Sequence, residues 1–312
     1  MRALTNPAPH QLRLDDLAEP LPGPGEVLVD VCAAGVNRAD LAQVAGQYPP
    51  PPGASAIPGL EVSGRRRDTG EEVLALLAGG GYAEAVAVPE EQLLPVPAGI
   101  AVADAAGIIE VTATVVSNLV IEAGLRAGQT VLVHGGTGGI GTAAIQIARA
   151  LGARVLSTAG SDAGAAHLRE LGAAEAWNRR TTDLVAAVRE AGGADVILDV
   201  IGADALADNV RMLRTDGRLV IIGTLGGGTG ELPIGLLMAK RARVIGTTLR
   251  ARPVPQKQEI LARTHELVWP LLETGRLRIP IHARFPLEEG ALAHALLREG
   301  GHLGKVLLDV RR

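Results

Sequence analysis

The stretch Val131-Leu-Val-His-Gly-Gly-Thr-Gly-Gly-Ile-Gly141 constrains this chain more than any other. An apolar strand-type run ends in glycines at 136, 138 and 141, and a segment with helical spacing, Thr142 to Leu151, starts at once. In such a turn one glycine permits the sharp reversal, a second lets backbone approach a bound anion, and a third lets helix and strand press together. The helix start offers unpaired N–H groups and the positive end of its dipole. A chain with 40 glycines produces this spacing by chance as well, so the strand before and the helix after carry the inference. Gly136, Thr137, Gly138, Gly139, Ile140 and Gly141 are therefore read as a cradle for a dinucleotide pyrophosphate.

The surrounding sequence has the matching rhythm. Strand-type runs at Thr130–His134, Arg154–Thr158, Asp195–Asp199, Arg218–Ile222 and Arg243–Thr248, with a weaker one at Glu175–Trp177, alternate with helical stretches near 142–151, 162–171, 182–190, 204–213 and 233–240. Glycines 152, 172, 192, 217 and 223 punctuate element ends. This α/β alternation predicts a doubly wound parallel sheet of six strands across 115–250. The first hundred residues differ. Short apolar runs at Val27–Ala33, Glu72–Leu77 and Tyr82–Val88 lie between proline and glycine clusters that exclude helix interiors, which predicts a β-rich, barrel-like domain over 1–114. Residues 251–312 return to mixed structure, helical over Gln256–Thr274 and Leu287–Arg298, extended over Ile279–Phe285 and Lys305–Val310. They are too few for a robust core of their own and are expected to complete the first domain.

Composition narrows the function class. A net charge of −4 over 312 residues argues against nucleic acid or anionic membrane as the main partner. No uninterrupted apolar run reads as long enough to span a bilayer, and Met1 to Leu14 lacks a signal peptide's apolar centre. Cys32 is the single cysteine, so neither an internal disulfide nor a cysteine metal cluster can form. A soluble, cytoplasmic enzyme acting on a small molecule is expected.

The acidic residue that binds the ribose hydroxyls of NAD is missing after the second strand, which ends Ser157-Thr-Ala-Gly-Ser161. Small neutral residues there leave room for a 2′-phosphate, to which Ser161 can donate; an inward Asp162 would oppose it. Arg179 and Arg180 follow the next strand and can supply positive charge, the alternative being a solvated loop.

Gly35-Val-Asn-Arg-Ala-Asp-Leu41, Gly46-Gln-Tyr-Pro-Pro-Pro-Pro-Gly-Ala-Ser55, Pro58-Gly-Leu-Glu61, Gly79-Gly-Gly-Tyr82, Thr158-Ala-Gly-Ser161 and Gly304-Lys305 join the glycine loop in one resemblance along nearly the whole chain. The sequence resembles the medium-chain reductases of the quinone oxidoreductase, zeta-crystallin-like type, and within them the tumour-suppressor-inducible quinone oxidoreductase branch. The resemblance implies a Rossmann cofactor domain, a GroES-like catalytic domain built from both termini, and reduction of quinones by NADPH. It also implies independence of zinc, because Asn37 and Leu60 stand where the zinc alcohol dehydrogenases carry cysteine and histidine.

By the same resemblance, Tyr48 edges the substrate with its hydroxyl available as a donor, and Asn37 lies near the nicotinamide ribose or the substrate carbonyl. Thr114 touches the nicotinamide side of the cofactor, Gly223, Leu225 and Gly226 line its following segment, Leu249 and Arg250 border the nicotinamide, and Gly304 and Lys305 lie near its ribose. Each has a plain alternative: Asn37 as a helix cap, Tyr48 as a surface ring, Lys305 as a solvated strand end. His134 is expected to hold backbone, Asp40 and Glu61 to make internal polar contacts, and Arg65 to Arg67 to form a solvated turn. The chain departs from the family at Ala163-Gly164, where a lysine often pairs the 2′-phosphate, and at Arg179, where tyrosine is frequent.

Three functions are compatible with these residues: an NADPH-dependent quinone reductase, an enoyl or 2-alkenal reductase on the same fold, and a cofactor-binding protein with little turnover. The run 243–249 reads as the last and therefore edge strand of the cofactor sheet, rich in β-branched residues and lacking proline or lysine. It is expected to pair with its own copy in a homodimer.

Overall fold

The computed structural model describes residues 1–311. The chain divides into two compact units, one formed by 1–113 with 249–312 and the other by 114–248.

The second unit is a six-stranded, all-parallel sheet. Its spatial order is Glu175–Asn178, Arg154–Ala159, Thr130–Val133, Ala194–Asp199, Leu213–Ile221, Arg243–Gly246. The strand order reverses between Thr130–Val133 and Ala194–Asp199, and the crevice at such a point is where doubly wound sheets bind ligands. Leu132, Leu156, Ile197 and Leu219 pair across four neighbouring strands in one fully buried row. Each contributes about 1.5–3 kcal/mol on leaving water. This row holds the strand that feeds the glycine loop. The last strand ends at Gly246, short of the expected 248–249; Thr247 turns its hydroxyl to Asn118 Oδ1 at 2.5 Å.

The first unit is built around the eleven-residue strand Glu26–Val36. Its first half pairs with Ala85–Pro89; Glu61–Arg66 lies along its middle, and Lys305–Asp309 along its end. The strands Glu72–Leu76, Leu93–Pro95 and Ile281–Pro286 extend this sheet, and Arg2–Thr5 and Arg13–Asp16 form a separate hairpin. Register decides what meets at the strand end. Val306 pairs with Val36 and Val62 with Ala34, so Lys305, Glu61 and Asn37 converge there. Arg65 and Arg66 are strand residues rather than a solvated turn, ion-paired to Glu72 and to Asp68 and Glu90.

One expectation about apolar runs needs correction. Asp104–Glu122 forms a continuous helical stretch of 19 residues with mean hydropathy 1.5, long and apolar enough to cross a membrane by length and composition. It is 78% buried within the protein, as a core helix would be. Glu110 breaks its apolar character in sequence, which is why the run is not legible as one segment.

Candidate active site

In the second unit the helix Gly139–Ala150 begins directly after the glycine loop, with Gly138 as its N-cap. The glycines have distinct reasons. A Cβ on Gly136 would strike Ser157 Oγ and lie 2.6 Å from Leu168 Cδ1, and one on Gly141 would strike the Gly135 carbonyl. Those two positions are closed by packing. Gly138 would meet only the Gly135 oxygen, at 3.7 Å, so its face is open to an incoming group. Gly139, Ile140 and Gly141 open the helix, and their N–H groups have no preceding turn to bond. Thr137 to Ile140 are half-buried. The arrangement is an anion cradle at a helix N-terminus of twelve residues.

The tip of the second strand carries charge. Nη2 of Arg179 and Nη2 of Arg180 each lie 4.0 Å from where a Cβ on Gly160 would stand. Ser161 caps the helix Asp162–Glu170, its Oγ accepting from Gly164 N–H at 3.1 Å, which leaves its O–H able to donate. Asp162 accepts from Asn178 Nδ2 at 3.0 Å. Gly164, where the family often has lysine nearby, would place a Cβ 3.0 Å from Ala159 Cβ.

After the fifth strand, Gly223 passes so close to Val200 that a Cβ would sit 2.9 Å from its carbonyl oxygen; Gly226 N–H bonds Ile201 O at 2.7 Å, and Leu225 is 62% exposed. The Thr114 carbonyl accepts from Asn118 Nδ2 at 2.7 Å. His134 does not hold backbone as expected. Its Nε2–H donates to Asn209 Oδ1 at 2.8 Å, and Nδ1 accepts from the Thr158 hydroxyl at 3.2 Å. Burial, and next the charge of Arg179, hold its pKa below the ordinary value despite the opposing Asn209 bond. Nearby Asp199 accepts from Ile201 and Gly202 N–H at 2.7 and 3.1 Å, while burial raises its pKa. Sequence reading missed Asp199 and Asn209, whose only signal was a polar residue beside an otherwise apolar strand or helix face.

In the first unit a buried polar cluster fills the strand ends. Lys305 Nζ donates to Glu61 Oε1 at 2.7 Å, Asn37 Oδ1 at 2.6 Å and Val36 O at 3.0 Å. Those three bonds use all three ammonium hydrogens. Lys305 is neither a solvated strand end nor left with a donor for a ribose. Asn37 Nδ2 donates to Glu61 Oε1 at 3.0 Å, so both ends of that amide are engaged inside the cluster. Asn37 is also the N-cap of the helix Arg38–Val44, its N–H bonding Asp40 Oδ2 at 2.8 Å. Gly304 has a packing reason: φ is +83°, and a Cβ would collide with the Pro280 carbonyl.

Asp40 continues into a second chain of contacts. Tyr82 O–H donates to Asp40 Oδ2 at 2.9 Å and lies 3.1 Å from His294 Nε2. Burial pushes the Asp40 carboxyl up to about 6 and His294 down to about 4. Asp40 was expected to make internal contacts and does; Tyr82 and His294 were not foreseen, because their meeting is a long-range consequence of the fold.

Tyr48 and Arg250 form the other notable pair of this unit. The Arg250 guanidinium carbon stands 5.1 Å from the centroid of the Tyr48 ring. Nη1 donates to Tyr48 O at 3.1 Å, Nε to Ala78 O at 2.8 Å and Nη2 to Gln43 Oε1 at 2.5 Å. Tyr48 is thus a half-buried ring fixed in orientation, and Leu249, also half-buried, precedes the arginine that fixes it.

The positions that the resemblance equates with zinc ligands do not suit a divalent cation. Leu60 is a buried hydrocarbon, and Asn37 Oδ1 already binds the Lys305 ammonium, which would repel a second cation. Among the described residues no cluster of three histidine, cysteine or carboxylate side chains stands ready to take a metal.

Comparison with known proteins agrees with this geometry. An alcohol dehydrogenase GroES-like domain is matched over residues 23–98 and a zinc-binding dehydrogenase domain over 139–265. Quinone oxidoreductase of Mus musculus is 30% identical over 96% of this chain and 94% of its own. Among solved structures, the quinone oxidoreductase of Thermus thermophilus, known also in complex with NADPH, is 33% identical with a TM-score of 0.86 over 99% of this chain and 100% of its own. An NAD-dependent alcohol dehydrogenase is 29% identical, with a TM-score of 0.87 over 100% of both chains. The chain belongs to the quinone oxidoreductase family of medium-chain dehydrogenases and reductases, and it is an oxidoreductase.

Proposed function

We propose that the chain reduces quinones with NADPH and without a metal. The observation that carries the cofactor reading is the pair of guanidinia, Arg179 and Arg180, around Gly160 at the strand end where an NAD enzyme would present a carboxylate. The helix start at Gly138 to Gly141 would hold the pyrophosphate, and Ser161 with the two arginines the 2′-phosphate. NADPH, when bound, supplies the hydride. Gly223, Leu225, Gly226 and Thr114 are assigned to the remainder of its binding surface. Tyr48, held by Arg250, is the hydroxyl assigned to the substrate carbonyl, where it donates a hydrogen bond as negative charge develops. Asn37 is assigned a positioning role within the Lys305–Glu61 cluster. A quinone suits a site lacking a Lewis acid, since its conjugated carbonyls accept hydride readily. The test is NADPH oxidation with 1,4-benzoquinone, 9,10-phenanthrenequinone and a short alkenal, before and after chelator treatment. Turnover of both quinones unaffected by chelation supports the reading; turnover of the alkenal alone transfers the assignment to enone reduction, and metal-dependent turnover rejects it.

The enzyme is further proposed to act as a cytoplasmic homodimer. Cys32 is a free thiol, as a reducing compartment permits. The strand Arg243–Gly246 has Leu213–Ile221 as its one strand partner among the described residues, so its outer edge is unpaired. Beside it in sequence, the helix Ile234–Ala239 buries none of its residues, and Ile234 and Met238 are 63% and 72% exposed. An apolar helix next to an open β-edge is a surface suited to a second copy.

A further inference from the structure

A chain of buried polar side chains runs beneath the glycine loop of the second unit. His134 is 2% exposed, and Thr158 and Asn209 are fully buried. Each comes from a different element: His134 follows the strand Thr130–Val133, Thr158 lies in Arg154–Ala159, and Asn209 on the helix Ala203–Met212. Such groups are costly in a core unless they are bonded, and valine has the shape of Thr158 without that cost. The chain has one direction. Asn209 Oδ1 can only accept, so His134 Nε2 carries the ring hydrogen and donates it across 2.8 Å. Burial holds the ring's pKa below its ordinary value, so at pH 7 Nδ1 is bare and accepts the Thr158 hydroxyl at 3.2 Å. With its hydrogen committed in this way, Thr158 Oγ1 presents a lone pair to Gly135 N–H at 3.3 Å. The Thr158 carbonyl takes the next donor, Gly136 N–H, at 2.9 Å. One residue thus pins two successive peptides where the loop leaves its strand, at a glycine whose φ is +66°.

We propose that Thr158 and His134 are positioning residues of the dinucleotide site, the Thr158 hydroxyl fixing the Gly135 peptide and the His134 ring fixing that hydroxyl. The inference rests on reading the helix start at 138–141 as the pyrophosphate cradle. That cradle inherits its geometry from the peptides before it. Gly138 N–H bonds Gly135 O at 3.2 Å, and Thr142 N–H bonds Gly138 O at 2.9 Å. A rotation of the Gly135 peptide is therefore carried to the N-cap and to the N–H groups of Gly139 to Gly141 that follow it. Donors fixed in place beforehand need no rearrangement when the anion arrives, so the chain acts on affinity through the backbone.

Calorimetric titration of the full chain with NADP⁺ tests this. Thr158→Val should raise the Kd about tenfold, the scale of one hydrogen bond, and Thr158→Ser, which keeps the hydroxyl, should restore most of the affinity. His134→Leu should also weaken binding. The double variant, His134→Leu with Thr158→Val, should bind no more weakly than Thr158→Val alone, because the histidine acts only through that hydroxyl. A general loosening of the core would instead add the two losses. Gly138→Val places a side chain on the open face of the cradle and is the control that should abolish binding. Ring-nitrogen NMR of the parent protein, which requires no variant to fold, should show His134 at pH 7 as the neutral Nε2–H tautomer. The Nδ1–H tautomer, parent-like affinity in Thr158→Val, or additive losses in the double variant would each overturn the proposal while leaving the cradle intact. Unaltered binding by Gly138→Val would remove the cradle reading, and the proposal with it.

Discussion

Lys305 Nζ and Glu61 Oε1 stand 2.7 Å apart with both side chains out of water, and the Asn37 amide bridges them. A buried pair of this kind is weak evidence of net stabilisation, but removing one partner strands the other's charge. Lys305→Met is expected to cost about 3–5 kcal/mol in denaturant unfolding, and Glu61→Gln a similar amount. The double variant should recover much of that loss. Additive losses would show that the two charges do not compensate one another.

The Asp40–Tyr82–His294 chain gives a pH dependence with a defined sign. His294 is held near 4 against an ordinary 6.5, so between these values the unfolded chain binds a proton that the folded chain refuses. Stability must then rise as pH rises from about 4 to 6.5, by up to about 1.4 kcal/mol per pH unit for each such group. His302, also held near 4, adds in the same direction. Asp40, raised to about 6, opposes them, since its ionisation above pH 4 favours the unfolded chain. Urea unfolding across pH 4.5 to 6.5 should show the net increase, and His294→Asn should reduce its slope. An unchanged slope in that variant would mean that His294 protonates without unfolding.

Arg179 distinguishes the cofactors. Replacing it with alanine is expected to raise the KM for NADPH about tenfold, the scale of one lost charge-assisted contact, and to leave NADH unchanged. Arg180 reaches the same strand tip, so Arg180→Ala serves as the companion measurement. If the parent enzyme uses both cofactors equally, the preference itself is wrong; if only the Arg179 variant is silent, the phosphate is held by Arg180 and Ser161.

For the substrate, Tyr48→Phe removes a hydroxyl while keeping the ring under Arg250. Turnover with quinone should fall by about 10²-fold, the lower end of one general-acid contribution, with NADPH affinity nearly intact. A parallel loss of NADPH binding would place the ring against the cofactor instead.

The cofactor sheet was legible because its signals are local. Strand, glycine turn and helix follow one another in sequence, and in the folded chain Gly136 and Gly141 are closed by packing while Gly138 lies open. The second strand's neutral end likewise announced itself at Ser157–Ser161. The first unit was legible mainly through resemblance, because its polar cluster is assembled by register. Lys305 meets Asn37 only because Val306 pairs with Val36, and no window of sequence contains both. For the same reason Lys305 looked like a strand end near a ribose when its hydrogens are all used internally.

Assembly can be tested at Ile245. The strand Arg243–Gly246 is shorter than the sequence indicates, yet Val244 is 37% exposed and the outer edge has no strand partner among the described residues. Proline at 245 removes an N–H and resists pairing wherever that hydrogen bond is needed. Because Ile245 sits opposite Val220 in the existing pair, the substitution could also disturb the inner edge, so Val244→Lys is the milder companion: it keeps the backbone and places a charge on the exposed face. Light scattering at micromolar concentration should give a dimer for the parent and monomers for both variants, with NADPH binding retained in Val244→Lys. A monomeric parent, or a Val244→Lys and an Ile245→Pro that both remain dimeric and folded, would remove this edge from the interface.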